Sequence, residues 1–147
     1  ALGDEGVQVL KDVGLPDHLM NLCLDDCHLT HTAAIDLAAL LTTSNKHLRC
    51  LTLANNMIGD EGLKLLHEHT IGRKESFEIQ LRSNGLSEFN LREACGSFKL
   101  LTALGLNNNP LGDRGVCQLA THLRHMPVLR FLGLANTNVG ERGVGSL

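Results

Sequence analysis

Cys23, Cys27, His28 and His31 bring two thiols and two imidazoles close together in the chain. Those are zinc-ligand types, and zinc needs four donors converging tetrahedrally. The surrounding pattern sets them apart: Cys27 stands where side chains turn inward, Cys23 faces outward, and His28 and His31 flank a helix start. No metal site is expected. His67-x-His69 and the pair His122/His125 fall near helix ends, where exposed imidazoles complement the helix dipole. Asp25 and Asp26 are neighbours on a loop and not opposed across a cleft. Four glycine-acid turns, such as Gly59-Asp60-Glu61-Gly62, sit at helix starts, a place that can cradle phosphate, but the acidic residue repels an anion. No catalytic residue, cofactor or small-molecule substrate is expected, so the chain does not read as an enzyme.

Five cysteines (Cys23, Cys27, Cys50, Cys95, Cys117) form an odd, uneven set. Cys23 and Cys50 fall on adjacent strands two residues out of step, with Cα atoms roughly 8 Å apart, too far for an unstrained disulfide. Free thiols suit a reducing compartment, and the expected location is cytoplasmic.

These residues are positioned by a phrase written five times. It runs Leu19-x-x-Leu22-x-Leu24-x-x-Cys27-x-Leu29, then Leu48-x-x-Leu51-x-Leu53-x-x-Asn56-x-Ile58, then Ser76-x-x-Ile79-x-Leu81-x-x-Asn84-x-Leu86. It returns as Leu101-x-x-Leu104-x-Leu106-x-x-Asn109-x-Leu111 and Leu129-x-x-Leu132-x-Leu134-x-x-Thr137-x-Val139. Starts at 19, 48, 76, 101 and 129 give spacings of 29, 28, 25 and 28 residues. This is the leucine-rich repeat pattern. One such unit cannot bury its own apolar side, so neighbours stack into a solenoid. The 147 residues read as a single domain: a partial repeat over 1–18, repeats from 19, 48, 76 and 101, and a partial repeat from 129. Both ends fall inside a repeat, so a segment of a longer solenoid is expected.

Within each repeat the Leu-x-Leu alternation has the period of a short strand, and identical strands joined by long returns run parallel. Strands are expected to begin near 20, 49, 77, 102 and 130. Cys27, Asn56, Asn84, Asn109 and Thr137 share the ninth position, where a small polar group can satisfy a buried turn. Helical spacing follows over 31–43, which reads as the longest clean helix, and over 60–69 and 113–125. The Asp of each Gly-Asp-x-Gly turn is expected to cap its helix, and the second Gly to let that turn pack closely on the adjacent repeat. The fold class is therefore α/β: a leucine-rich repeat solenoid curved as a horseshoe, with parallel strands on the concave face and helices on the convex face.

Long repeats combined with Leu/Ile-Gly-Asp-x-Gly-x-x-x-Leu resemble the ribonuclease-inhibitor-like class of leucine-rich repeats. That class includes ribonuclease inhibitor itself, the sensor domains of NLR immune receptors and the Ran GTPase-activating protein. The resemblance spans essentially the whole chain and implies a concave sheet that binds another macromolecule. A protein-protein interaction module, an intracellular scaffold or sensor, is the leading reading. GTPase activation of the Ran type and a structural part in a large assembly are the alternatives.

A net charge of -3 argues against nucleic acid as a bulk electrostatic partner, and no apolar run is long enough to cross a membrane. The expected partner is a protein. Interface hot spots favour Trp, Tyr and Arg, yet Trp and Tyr are absent. Arg49, Phe77, Arg82, Arg130 and Phe131 are the large or forked side chains at outward strand positions, and they are expected to line up as one partner-binding strip. The third repeat is irregular: it is the shortest, opens on Ser76, and is preceded by basic Gly72-Arg73-Lys74-Glu75. A shortened helix is expected there, with an altered surface for a partner as the alternative.

Overall fold

Five Leu-x-Leu runs lie side by side as parallel strands, because each repeat leaves its leucines facing one way and returns through a convex segment before the next begins. The computed structural model describes residues 1–44, 47–70, 72–91 and 96–147. The order is α1 (Gly3–Val13), β1 (Asn21–Cys23), α2 (Ala34–Ala39), β2 (Cys50–Thr52), α3 (Gly59–His69), β3 (Phe77–Gln80), β4 (Leu101–Gly105), α4 (Gly112–Leu123), β5 (Phe131–Gly133) and α5 (Glu141–Val144). Strands pair in chain order, β1-β2-β3-β4-β5, each with its predecessor in parallel. The open, curved α/β solenoid expected from the repeat pattern is present. Cys95 lies outside the described residues.

Between the strand layer and the helix layer sits one continuous core. Leu51, Leu53, Ile79, Leu81, Leu104 and Leu106 are completely buried, and Leu37, Leu66, Val116 and Leu119 meet them from the convex side. Each buried leucine contributes about 1.5–3 kcal/mol relative to exposure. Leu22 and Leu132, on the outer strands, are half-buried.

The ninth-position residues join neighbouring repeats. Asn56 Oδ1 accepts the N–H groups of Cys27 and Leu29, and its Nδ2 donates to the carbonyls of Leu24 and Leu53. Asn84 repeats the arrangement toward Ile58 and Leu53. The residue before each is left-handed in all five repeats: Asp26, Asn55, Ser83, Asn108 and Asn136 have φ between 53 and 56°. Asn and Asp tolerate that conformation better than most L-residues. It turns the N–H toward the next repeat, so Asp26 donates to Ala54 O, Asn55 to Arg82 O and Asn108 to Ala135 O.

Three expectations need correction. Phe77 is only 1% exposed and belongs to the core. Counting back by two from inward Ile79 reaches Phe77, and the pairing shifts there: Phe77 lies opposite Leu101, whereas Glu78 lies opposite Ala103. Ser76 offers no apolar bulk for the inward slot, so the phenylalanine takes it and the strand entry is one residue shorter.

The segment 31–43 is not one clean helix. It is a 3-10 turn over His31–Ala33, then α2, then a wider turn over Leu40–Ser44. The Thr42 hydroxyl donates to the Ala38 carbonyl at 2.9 Å, and such back-bonding competes with the helix ladder.

The turn aspartates do not cap their own helices; they reach into the next repeat. Asp4 accepts from Thr30 N–H and the hydroxyls of Thr30 and Thr32. Asp60 accepts from Ser87 N–H, Ser87 Oγ and Glu88 N–H, and Asp113 from the N–H groups of Gly140 and Gly143. They staple repeats together. The second glycine lets its turn sit close on the preceding repeat: a Cβ at Gly115 would lie 3.0 Å from the Ser87 carbonyl, and one at Gly62 would lie 3.1 Å from His31 Cα.

Candidate partner-binding face

The pairing register sets out the concave face row by row. Asn21, Cys50, Glu78, Ala103 and Phe131 form one row. Cys23, Thr52, Gln80, Gly105 and Gly133 form the next. Since alternate residues of a strand face opposite ways, both rows look away from the core.

Toward β5 this face is flat. The Gln80 side chain lies across Gly105, where a Cβ would fall 1.7 Å from Gln80 Oε1. Asn107 likewise lies across Gly133, where a Cβ would meet Asn107 Nδ2 at 2.8 Å, while its Oδ1 accepts the Ala135 N–H at 2.7 Å. Above this floor of glycine, Ala103 and Ala135 stands Phe131, 53% exposed. About half of this large apolar ring is open to solvent. Arg130 beside it is exposed, and its backbone N–H is used by Thr102 O at 2.8 Å.

The other expected anchors sit elsewhere. Arg82 is exposed, but it stands four residues beyond Glu78, in the turn after β3, and two strands from Phe131. Strand spacings place it about 16 Å from Phe131, so the five residues do not form one row. Arg49 Nη1 is 3.0 Å from Glu75 Oε2, which ties it to the loop before β3. Phe77 is beneath the sheet. Arg73, from that same loop, turns inward over the Phe77 ring, 4.9 Å from its centroid. Its guanidinium donates to the carbonyls of Leu41 and Leu48. Burial, and then the neighbouring charge of Arg49, push its pKa down to about 10. The basic loop is therefore anchored through Arg73, with Lys74 and Glu75 left outside.

The sulfur and imidazole groups are dispersed. Cys23 is exposed opposite Thr52, and Cys50 is half-buried opposite Asn21, two residues out of step as the sequence indicates; Cys23, Cys27, Cys50 and Cys117 are free thiols. Burial, then Glu78, Cys23 and Asp25, raise the Cys50 pKa. Cys27 Sγ lies 3.3 Å from the Asp25 carbonyl, and His28 and His31 are exposed. Among the described residues no three His, Cys, Asp or Glu side chains gather as a metal site.

His67 and His122, expected in solvent at helix ends, are buried at 6% and 8% exposure. They share the core-facing sides of α3 and α4 with Leu66 and Leu119. His67 meets Phe98 edge-on at 4.8 Å between centroids, and His122 lies 5.8 Å from Phe89. Burial, and then the charge of His122, lower the His67 pKa to about 4. The sequence carried a signal for the flat floor, since glycine replaces a larger residue at the same position in the last two strands. It carried none for the inward turn of Arg73.

No protein-family model matches the chain. Among curated proteins it is similar to the ribonuclease inhibitor of Sus scrofa, 35% identical over 129 residues, covering 83% of this chain and 28% of that protein. It is 38% identical over 132 residues to NACHT, LRR and PYD domains-containing protein 12 of Mus musculus, covering 84% of this chain and 12% of that protein. NACHT, LRR and PYD domains-containing protein 3 of Homo sapiens is 35% identical over 136 residues, 85% of this chain and 12% of that protein. The chain thus spans under a third of the length of the relatives it matches.

Proposed function

The chain belongs to the ribonuclease-inhibitor-like family of leucine-rich repeat proteins, and on that basis we propose that it is a protein-recognition module of a cytoplasmic scaffold or sensor. The partner is received on the concave sheet. The observation that carries this reading is Phe131: an aromatic ring 53% exposed on a floor of glycine and alanine, with the preceding residue, Arg130, exposed as well. Aromatic and arginine side chains are the residue types that anchor interfaces, and a flat floor lets a partner's surface close on them. Arg82 marks a second contact about 16 Å away, a separation well within an ordinary interface. Arg49 contributes at the margin, because it must first leave Glu75. A ribonuclease is one partner to try, since one relative is an inhibitor of that enzyme.

Free thiols at Cys23, Cys27, Cys50 and Cys117 accord with a reducing compartment. No helix among the described residues is long and apolar enough to cross a membrane. The test is affinity capture of a binding protein followed by titration of the Phe131→Ala/Arg82→Ala double variant. Weakening by about 1–2 kcal/mol for each side chain is expected of anchors. Unchanged affinity with the fold intact removes the concave face from the reading and favours the edges or helices, as in a building block of an assembly.

A further inference from the structure

The third repeat departs from its neighbours on the convex side. Among the described residues no α-helix lies between β3 and β4, only the 3-10 turn Gly96–Leu100. Phe89 and Leu91 fill the core from a segment that is neither helix nor strand. Phe89 N–H donates to Gln118 Oε1 of α4 at 2.9 Å, tying that segment to the helix beyond it. Outside this tie lies a cavity of about 910 Å³. Leu91, His122 and the half-buried Cys117 form its floor, and the exposed Asn90, Arg114 and Arg142 stand at its mouth.

The two arginines hold the same place in successive repeats, the third residue of Gly112-Asp113-Arg114-Gly115 and of Gly140-Glu141-Arg142-Gly143. The matching residues in the repeats before the cavity are Glu5 and Glu61. The charge along this line of helix starts therefore changes sign at the cavity. Arg114 already holds a carboxylate, with Glu88 Oε1 at 3.0 Å. Arg142 has no ion pair among the described residues. Among the described residues the one acid lining the cavity, Asp113, accepts the N–H groups of Gly140 and Gly143.

We propose that this cavity is a second partner site, separate from the concave face, which receives an acidic peptide segment of a binding protein. An apolar side chain of the segment rests on Leu91, Cys117 and His122, and its carboxylates pair with Arg114 and Arg142, displacing Glu88 from the former. A lone small anion gains little here, because the charged groups are at an exposed mouth where ion pairs are weak. A peptide combines burial of apolar surface with two bidentate-capable contacts one repeat apart.

The test uses the whole chain and an N-acetylated, C-amidated hexapeptide, Glu-Leu-Glu-Glu-Leu-Glu, with its Gln-Leu-Gln-Gln-Leu-Gln analogue. The readout is the rate at which iodoacetamide alkylates Cys117, with exposed Cys23 as the internal reference. With the peptide at four times its Kd the open fraction falls about fivefold, and Cys117 alkylation slows by that factor while Cys23 is unchanged. The glutamine analogue gives no protection. Arg142→Glu, an exposed side chain whose replacement leaves the circular dichroism spectrum intact, abolishes protection by the acidic peptide. Absence of protection at millimolar acidic peptide overturns the proposal. So does equal protection by the glutamine analogue, which means a purely apolar site, or by citrate, which means a small-anion site. None of these readings depends on Phe131 or Arg82.

Discussion

Asn109 reaches back into the preceding repeat, where its Oδ1 accepts the backbone N–H of Asn84 at 2.9 Å. The same oxygen accepts Leu86 N–H, and Nδ2 donates to the carbonyls of Leu81 and Leu106. Asn109 is fully buried, so water cannot replace these partners. Leucine at this position strands two N–H groups and two carbonyls, each costing about 1–3 kcal/mol unless the turn rearranges. Asn109→Leu should lower stability by at least about 2 kcal/mol in urea denaturation; a midpoint equal to the parent's contradicts the role given to this side chain.

Phe77 and Phe131 separate packing from recognition. Phe77 touches Phe98 at 6.4 Å and lies under Arg73, so Phe77→Ala should cost about 3–5 kcal/mol of stability. Phe131→Ala should change stability by less than about 0.5 kcal/mol, and its effect should appear in partner affinity. Comparable thermal destabilisation in the two variants would show that Phe131 is structural.

His67 makes stability depend on pH. Its folded pKa, about 4, lies below the ordinary value of 6.5, so the folded state binds its proton less readily than the unfolded chain. The stabilisation is complete above pH 6.5 and is lost as the pH falls toward about 4. The urea midpoint should drop across that window, and His67→Gln should drop less steeply. Parallel curves for parent and variant would assign the acid sensitivity to other groups.

Asp113 tests the staple between repeats. Its carboxylate serves Gly140 N–H at 2.7 Å and Gly143 N–H at 2.9 Å, both in the repeat that follows. Asp113→Ala should cost about 1 kcal/mol, the usual worth of such a cap. The loss should show as faster amide hydrogen exchange at residues 140–144, with α4 itself little changed. Accelerated exchange confined to α4 would mean that Asp113 acts on its own helix.

The repeat frame is legible in the order of residues alone. The spacing of Leu51 and Leu53, of Ile79 and Leu81, and of Leu104 and Leu106 dictates parallel strands, because a period of two admits one inward face. The fixed place of Asn56, Asn84 and Asn109 marks the buried turn that needs a polar side chain. It also named Phe131, Arg82 and Arg130 as outward groups, and all three are exposed. Tertiary structure alone decided the irregular places. Whether Ser76 or Phe77 fills the inward slot depends on which one packs against Phe98, a contact from a segment about twenty residues away. The direction taken by Asp4, Asp60 and Asp113 depends on the next repeat's amides lying closer than those of their own helices. Burial of Arg73 depends on the Leu41 and Leu48 carbonyls and the Phe77 ring, and that of His67 and His122 on Phe98 and Phe89 of the third repeat. In each case the deciding partner lies many residues away in the chain, in another repeat or at the far end of the same one, and local periodicity carries no information about such distances.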